Sequence, residues 1–390
     1  MGSCVPRRVN HRRTTMLDSD MLCGECNSRF APDPMRYRCE CGAALDFANP
    51  APLFAVEDLA SRPTTIWRYH EALRIAQPDD AVSMGEGMTP PVPSRVGDHD
   101  LRFKLDFTFP TGSYKDRGAA VLISALREMG ADAVVEDSSG NAGAAIAAYA
   151  ARAGMRCVIY APSGTSPAKL EQIRVFGAEL RLVDGDRHAT TEAVLEAAET
   201  TPYASHNWNP YFITGVKTVA FEIAEQLGWR APDNVIAPVG FGSILLGLRL
   251  GFSELRRHGI TDSTPRLLAA QAAHCCPVHV AWRVGADVVG RFADPRPTLA
   301  EGIASTRPIR ARQVLTAVRQ TEGAVATVTE DEIADGVRAL AREGIYVEPT
   351  SAVVVSAFDR FVEQGVIRDG DLTVSILTGS GLKAAGKVLA

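Results

Sequence analysis

The chain has few lysines, no long apolar run and no strong charge imbalance. Six of its 390 residues are lysine, and its net charge at pH 7 is −5. No apolar stretch approaches the roughly 18 residues that a membrane-spanning helix needs. A mildly acidic chain is also a poor general binder of nucleic acid. The composition therefore argues against a membrane protein and against a nucleic-acid partner.

The first residues are rich in arginine and histidine and lack the apolar core of a secretory signal. Their composition predicts a disordered basic extension over residues 1–20, with a transit segment or a nucleic-acid-binding arm as the alternative. Disulfide frameworks belong to small secreted domains. Because this chain is long and shows no export signal, we expect its eight cysteines to be reduced and the protein to be cytoplasmic.

Half of the cysteines fall in two close pairs within residues 21–47, namely Cys23, Cys26, Cys39 and Cys41. This pattern predicts a zinc-ribbon-like module, because a segment too small for its own core gains folding energy from a tetrahedral metal site. Four thiolates leave no open coordination position, so we expect any zinc to be structural. The alternative is four metal-free thiols, since one residue between the second pair is fewer than usual.

Beyond Pro50, strand-like and helix-like segments alternate. Apolar runs such as Cys157–Tyr160 and Asn234–Pro238 are typical of strands, and Pro167–Phe176 and Ile244–His258 of helices. Such alternation predicts the α/β class, with parallel sheets covered by helices. A further helix is expected after Thr329, which with Glu332 has capping-box spacing. Ligands of open α/β sheets bind beyond the carboxyl ends of the strands.

Lys115 lies in the glycine-containing turn Pro110–Gly118 (PTGSYKDRG), at an expected helix start. A lysine held there is placed to form a Schiff base, provided that its surroundings lower its pKa. The alternative is a surface lysine in an ion-pair network with Asp116 and Arg117. Among the other lysines, only Lys217 also follows a glycine turn.

Two further loops could hold anions. Residues 137–143 (DSSGNAG) precede an expected helix, whose first N–H groups attract a carboxylate, although an ordinary β–α turn has the same composition. Residues 238–247 (PVGFGSILLG) also follow a strand and open a helix. Their third glycine is misplaced for a dinucleotide site, and the Lys-Ser/Thr of a P-loop is missing. A phosphate of another cofactor fits this second loop better.

A fourth loop, residues 377–383 (LTGSGLK), brings Thr378 to the end of the last expected strand. The lysine turn, the two anion loops and this hydroxyl are together typical of a pyridoxal-phosphate (PLP) enzyme. In this order they resemble the tryptophan-synthase-β superfamily, fold type II of the PLP enzymes, and within it the threonine synthase family. Supporting stretches are Gly85–Pro90, Ala300–Ala304 and Glu348–Ala352.

The resemblance implies a fold and an assembly. It implies two three-layer α/β domains with parallel-rich sheets, in addition to the ribbon-like module. The large domain would comprise residues 50–117 and 209–390, and the small domain residues 118–208. It also implies a homodimer that acts on a small amino-acid substrate.

The resemblance also implies a role for individual residues. Lys115 would be the catalytic lysine that binds PLP, Asn141 would donate to the phenolic oxygen of the cofactor, and Thr378 would face its pyridine nitrogen. The expected phosphate contacts are Gly240, Phe241, Gly242, Ser243 and Ile244. The expected substrate contacts are Ser138, Ser139, Gly140, Asn207 and Lys217.

The implied reaction is the last step of threonine biosynthesis, from O-phospho-L-homoserine and water to L-threonine and phosphate. Three features depart from the family. The segment Phe212–Thr218 lacks the arginine that these enzymes often have before Gly-x-Lys-Thr, Phe109 stands where asparagine is usual, and Phe241 occupies the second position of the phosphate loop. A serine/threonine ammonia-lyase, or a β-replacement enzyme acting on O-phosphoserine or an activated serine, therefore stays open. A non-catalytic binding protein with a degenerate PLP fold is the remote alternative.

Overall fold

The computed structural model of the chain describes residues 20–94, 99–165, 167–185 and 187–384. The predicted basic extension lies outside these residues except for Asp20, and so do the last six residues of the expected large domain. No helix in the described part is long and apolar enough to cross a membrane.

The described strands form three sheets. Their bounds are β1 Met21–Cys23, β2 Arg29–Phe30, β3 Leu45–Phe47, β4 Pro91–Pro93, β5 Asp100–Lys104, β6 Ala133–Glu136, β7 Arg156–Pro162, β8 Glu179–Val183, β9 Asn234–Pro238, β10 Arg266–Ala272, β11 Val325–Val328 and β12 Leu372–Ile376.

The α-helices lie between and after these strands. Their bounds are α1 Lys115–Glu128, α2 Asn141–Ala153, α3 Pro167–Val175, α4 Arg187–Ala197, α5 Pro210–Val216, α6 Thr218–Gln226, α7 Ser243–Arg257, α8 Pro277–Arg283, α9 Ala311–Gln320, α10 Glu330–Arg342 and α11 Pro349–Glu363. Short 3-10 helices span Val56–Ser61, Ile66–Leu73, Pro78–Asp80, Asp106–Thr108, Glu301–Ile303 and Gly381–Ala384.

The largest sheet has the strand order β11-β10-β9-β12-β5-β4 and is parallel except for the pair β4–β5. Its strands are buried on both faces because successive side chains point in opposite directions. In β9, Val235 and Ala237 belong to the core shared with α1, α6, α7 and α9. Ile236 belongs to the opposite core, shared with α10 and α11. The sheet is therefore the middle of three layers.

A second parallel sheet has the order β6-β7-β8. Ile159 of β7 packs in the core that contains α2, whereas Val158 and Tyr160 pack with Val194 of α4. The predicted α/β class with parallel, helix-covered sheets is confirmed. The helix expected after Thr329 is α10, and both hydrogen bonds of its capping box with Glu332 are present.

A buried charge network holds the first turn of α1. The guanidinium of Arg117 donates to both carboxylate oxygens of Asp106 at 2.8 Å and to those of Glu222 at 2.6 and 2.8 Å. Lys104 of β5 donates to the same Glu222 at 2.7 Å. All four side chains are fully buried. Two cations and two carboxylates compensate one another in this network. One of them, Arg117, is two residues beyond Lys115 in the chain.

Replacing Glu222 with glutamine should destabilise the protein by about 3–5 kcal/mol, because two buried cations lose their shared carboxylate. Burial alone would raise the pKa of Glu222, but Arg117 and Lys104 outweigh it and lower that pKa to about 2. A lowered pKa stabilises the fold above the unfolded value of about 4.5, and this contribution is lost as pH falls towards 2.

Urea unfolding of the wild-type and Glu222→Gln proteins at pH 7 and pH 3 measures both effects. The difference in free energy of unfolding should be large at pH 7 and smaller at pH 3. Asp335→Asn, which breaks an exposed ion pair with Arg338, is the control and should change little. Equal stability of the Glu222→Gln and Asp335→Asn proteins at pH 7 would contradict the assigned role of the network.

Candidate active site

Lys115 is the first residue of α1 and is half-buried. Its Nζ lies 4.7 Å from the centroid of the Tyr114 ring and 5.6 Å from that of Phe212. The charged neighbours of the lysine are engaged elsewhere. The carboxylate of Asp116 accepts hydrogen bonds from the backbone N–H and hydroxyl of Thr111, and burial raises its pKa to about 7. Asp116 and Arg117 therefore do not form the surface ion-pair network that was the alternative for Lys115.

Three of the four loops named in the sequence analysis, residues 110–118, 238–247 and 377–383, meet around Lys115. The backbone N–H of Tyr114 donates to the carbonyl of Thr378 at 2.9 Å, and that of Ser380 donates to the carbonyl of Gly112 at 2.9 Å. The Tyr114 hydroxyl lies 2.9 Å from the Ser243 hydroxyl. The lysine turn is thus fixed to the end of β12 on one side and to the start of α7 on the other.

The start of α7 has the geometry of a phosphate cradle. Gly242 precedes the helix with a φ of +92°, a conformation that favours glycine. A Cβ atom would lie 2.2 Å from Cγ2 of Val314 at Gly242 and 2.8 Å from Cα of Ile303 at Gly240. The loop therefore packs too tightly from behind for any other residue. The N–H groups of the first helical turn, which begins at Ser243, have no partner within the helix and suit a phosphate.

The anion turn before α2 is connected to the same centre. The side-chain amide of Asn141 donates to the carboxylate of Glu348 at 3.0 and 3.1 Å, and the N–H of Glu348 donates to the carbonyl of Gly379 at 3.0 Å. A Cβ atom on Gly143 would lie 1.8 Å from the carbonyl oxygen of Ser138. Only glycine allows the helix to start this close to the turn.

The three residues expected to contact the carboxylate of the substrate differ in exposure. Ser138 is buried, Ser139 is half-buried and Gly140 is exposed. The hydroxyl of Ser138 accepts a hydrogen bond from the N–H of Gly140 at 3.3 Å. The turn therefore holds its own shape and leaves its outer edge accessible to a ligand.

Ser351 orients Thr378, and sequence reasoning did not find it. Its buried hydroxyl accepts from the N–H groups of Thr378 at 3.0 Å and Gly379 at 2.8 Å, and it lies 3.0 Å from the Thr378 hydroxyl. With both lone pairs of Ser351 occupied, its single proton is donated either to Thr378 Oγ1 or to the carbonyl of Gly379 at 3.3 Å, and not received from Thr378. The proton of Thr378 is then free to be donated to a ligand. The only sequence sign was the supporting stretch Glu348–Ala352.

A second lysine lies beside the Lys115 turn. Lys383 donates from Nζ to the carbonyl of Thr111 at 2.8 Å. Burial lowers its pKa, and the nearby carboxylates of Glu348 and Asp116 oppose that shift. The sequence places Lys383 at the end of the fourth loop, residues 377–383, but its hydrogen bond to the Lys115 turn is seen only in the tertiary structure.

Lys217 and Asn207, two of the expected substrate contacts, have different surroundings. The ammonium of Lys217 is buried in an ion pair with Glu254 of α7 at 2.8 Å, and burial lowers its pKa against the pull of that carboxylate. Asn207 is buried, and its Oδ1 has no hydrogen-bond partner among the described residues. Phe212 is fully buried, and its ring lies 2.6 Å from where a Cβ of Gly118 would be.

The four thiols of the N-terminal module converge. Their Sγ atoms all lie within 4.8 Å of one another, with 3.4 Å between Cys26 and Cys39 and 3.6 Å between Cys23 and Cys41. Sulfurs around tetrahedral zinc, at about 2.3 Å from the metal, are about 3.8 Å apart. The module itself is the antiparallel sheet β2-β1-β3. The donor set and its spacing therefore fit a structural zinc.

Arg310 joins this module to the segment that carries Asn207. Its buried guanidinium donates to the carbonyls of Asn207 at 3.0 Å and Trp208 at 2.8 Å. On the other side it donates to the Leu45 carbonyl at 2.8 Å and to the Asp46 carboxylate at 2.7 Å. No sequence spacing indicates this contact, since more than 100 residues separate each pair of partners.

Comparisons with known proteins agree with this geometry. The family model described as "Pyridoxal-phosphate dependent enzyme" matches residues 82–379. The chain is 35% identical over 373 residues to threonine synthase of Methanocaldococcus jannaschii, covering 93% of this chain and 92% of the relative. It is 36% identical over 325 residues to that of Synechocystis sp., covering 81% and 82%.

Solved structures show the same fold. A threonine deaminase from "T.th." superposes with a TM-score of 0.65 at 25% identity, over 84% of this chain and 98% of that one. The structure brings the lysine turn, the glycine cradle and the strand-end hydroxyl together, and the relatives are matched over most of their length. The chain therefore belongs to the pyridoxal-phosphate-dependent enzymes and, within them, to the threonine synthase family.

Proposed function

We propose that the protein converts O-phospho-L-homoserine and water to L-threonine and phosphate at the site around Lys115. The observation that carries the proposal is the match to threonine synthases over 93% of the chain. It is supported by the hydrogen bonds that join the Lys115 turn to Thr378 and Ser243.

Each part of the site has a proposed role towards the cofactor. Lys115 forms the Schiff base, Asn141 donates to the phenolic oxygen, and Thr378 donates to the pyridine nitrogen. The phosphate is held by residues of the cradle, namely Gly240, Phe241, Gly242, Ser243 and Ile244. When bound, pyridoxal phosphate supplies an electron sink for negative charge at the α carbon of the substrate.

The chain's own residues carry the protons in this proposal. With cofactor and substrate bound, the Nζ of Lys115 would remove a proton from the α carbon and then one from the β carbon. Loss of the β proton lets phosphate leave the γ carbon, which then gains a proton and becomes a methyl group. Water adds its hydroxyl at the β carbon, a proton returns to the α carbon, and the remaining proton of water balances the released phosphate. Thr378 is neutral and does not stabilise a protonated pyridine, which favours elimination and replacement over other reactions of the α carbanion.

Substrate recognition needs donors for two anionic groups. The turn Ser138–Gly140 at the start of α2 is suited to the carboxylate. A phosphate dianion needs several cationic or N–H donors. Asn207 and Lys217 were the expected ones, but the ammonium of Lys217 is engaged by Glu254. We therefore propose Lys383, whose Nζ lies beside the Lys115 turn, as a further donor to the phosphate of the substrate.

A second candidate is a serine/threonine ammonia-lyase. It is favoured by one observation, that the segment Phe212–Thr218 has no arginine before Gly215, where threonine synthases often have one. An ammonia-lyase substrate has no phosphate and would not need that cation.

The two candidates are separated by assaying the PLP-loaded protein with O-phosphohomoserine, O-phosphoserine, serine and threonine. We expect equal amounts of phosphate and threonine from O-phosphohomoserine, with kcat/KM at least about tenfold above that for any other substrate, since binding energy from the phosphate is used there. Turnover of serine and threonine alone, with release of ammonia, would establish the ammonia-lyase instead.

Ser351→Ala should weaken PLP binding by about tenfold, because Thr378 loses the hydroxyl that orients it and two buried N–H groups lose their acceptor. Titration of the apoprotein with PLP, followed by absorbance, measures the dissociation constant. Ser356→Ala is the matched control, since Ser356 lies on the same helix but donates to the carbonyl of Glu332. Unchanged affinity in Ser351→Ala would show that Thr378 is not oriented in this way.

We further propose that the four-cysteine module binds one structural zinc ion. Zinc content by mass spectrometry should be about one per chain in the wild type and near zero in Cys39→Ser. Cys276, a buried cysteine outside the cluster, supplies the control Cys276→Ser, which should keep its zinc. Arg310 donates hydrogen bonds both to the module and to the backbone of Asn207, an expected substrate contact. Because a disordered module would release this contact, zinc loss should raise KM for O-phosphohomoserine more than it lowers kcat. A zinc-free wild type, or an unaltered KM after zinc loss, would contradict this proposal.

The family resemblance also supports a homodimer working in the cytoplasm, and we propose both. Sedimentation equilibrium of the PLP-loaded protein tests the first, with a mass of twice 41.8 kDa as the expected result. A monomer at micromolar concentration would contradict it.

A further inference from the structure

A cavity beside the candidate active site shares Phe241 and Lys217 with the expected cofactor and substrate contacts. It has a volume of about 1820 Å³ and is bounded by the cysteine module, by one face each of α5, α7 and α9, and by residues 288–291 and 304–309. Lys115, Asn141, Ser243 and Thr378 do not line it, whereas Phe241 of the cradle does. Whatever occupies this cavity would therefore lie behind the cradle rather than in it.

The cavity is strongly cationic although the chain as a whole is acidic. Eight arginines and Lys217 line it, against the three carboxylates of Glu25, Asp46 and Glu254. Nine cations minus three carboxylates leave six positive charges, whereas the net charge of the chain is −5. So many like charges around one concave surface create a potential that attracts anions.

Each of the three carboxylates already has a cationic partner. Glu25 pairs with Arg312 at 3.1 Å, Asp46 with Arg310 at 2.7 Å, and Glu254 with Lys217 at 2.8 Å. The lining therefore offers no further carboxylate to its other arginines, and its excess positive charge is not compensated from within.

Arg249 and Arg257 contribute most clearly to the uncompensated positive charge of the lining. They lie two helical turns apart on α7 and both line the cavity. The Nε of Arg249 is buried and has no hydrogen-bond partner among the described residues, while its Nη2 donates to Gln320 at 2.9 Å. Burial lowers the pKa of Arg249, and the charge of Arg257 lowers it further. Arg249 is half-buried and Arg257 is exposed, and their like charges together attract an anion.

We propose that this cavity is a binding site for a phosphate-type anion, with Arg249 and Arg257 as its main donors. The planar fork of a guanidinium matches the oxygens of a phosphate group in two parallel hydrogen bonds. Either inorganic phosphate or the phosphate group of an ester would satisfy this chemistry. The site shares Phe241 with the cofactor cradle, but its main donors are not cradle residues, and it does not depend on the reaction proposed above.

Calorimetric titration of the PLP-loaded protein with inorganic phosphate, at constant ionic strength, tests the site. Arg249→Gln should weaken the binding by about tenfold or more, because it removes a charge-assisted donor. Arg256→Gln is the matched control, since Arg256 is exposed like its neighbour Arg257 but does not line the cavity. It removes the same charge from the same helix and should keep the affinity within about twofold.

Folding and the source of the phosphate are tested alongside. PLP absorbance and thermal unfolding should be unchanged in Arg249→Gln, and Arg249→Lys should recover part of the affinity. A parallel titration with adenosine monophosphate identifies an ester as the preferred ligand if it binds more tightly than inorganic phosphate and is equally sensitive to Arg249→Gln.

Phosphate binding that is equal in wild type, Arg249→Gln and Arg256→Gln would place the anion elsewhere and overturn the proposal. So would loss of dimers in Arg249→Gln without a change in phosphate affinity, which would mean that a second copy of the chain covers the cavity.

Discussion

The position of Lys115 depends on the buried charges beneath it. Arg117 enters the fully buried network with Asp106, Glu222 and Lys104, and this connects the first turn of α1 to β5 and α6. Burying four charges is tolerable only because they compensate one another in hydrogen-bonded contact. The network cannot shift far without leaving a charge unpaired, so the helix start, and the lysine two residues earlier, are held against the core.

Around this fixed point the fold brings together loops that are far apart in the chain. Strand ends of the large sheet supply the glycine cradle and Thr378, and the smaller sheet supplies the turn before Asn141. Backbone hydrogen bonds from Tyr114 and Ser380 fasten these loops to one another. The cysteine module contributes indirectly, since Arg310 holds it against the backbone of Asn207. The chemistry of the site thus rests on rigid elements rather than on mobile side chains.

Local patterns predicted much of this arrangement. The α/β class follows from alternating strands and helices, and the α10 helix from a capping box, because both depend on neighbouring residues. Contacts made between distant residues were not predictable. Nothing in the spacing of Arg310 points to the site. Ser351 and Lys383 lie in segments that the resemblance singled out, but their contacts there could not be read from the sequence. Lys217 follows a glycine turn as a functional lysine would, yet it pairs with Glu254, which lies 37 residues further along the chain.

We propose that Lys115, and no other lysine, binds the cofactor covalently. Reduction of the PLP-loaded protein with borohydride, followed by digestion and mass spectrometry, locates the pyridoxyl group directly. With six lysines in the chain, each peptide can be assigned without ambiguity. We expect the label on the peptide that contains Lys115. A label on any of the other five lysines, or no label on a protein that is catalytically active with PLP, would contradict it.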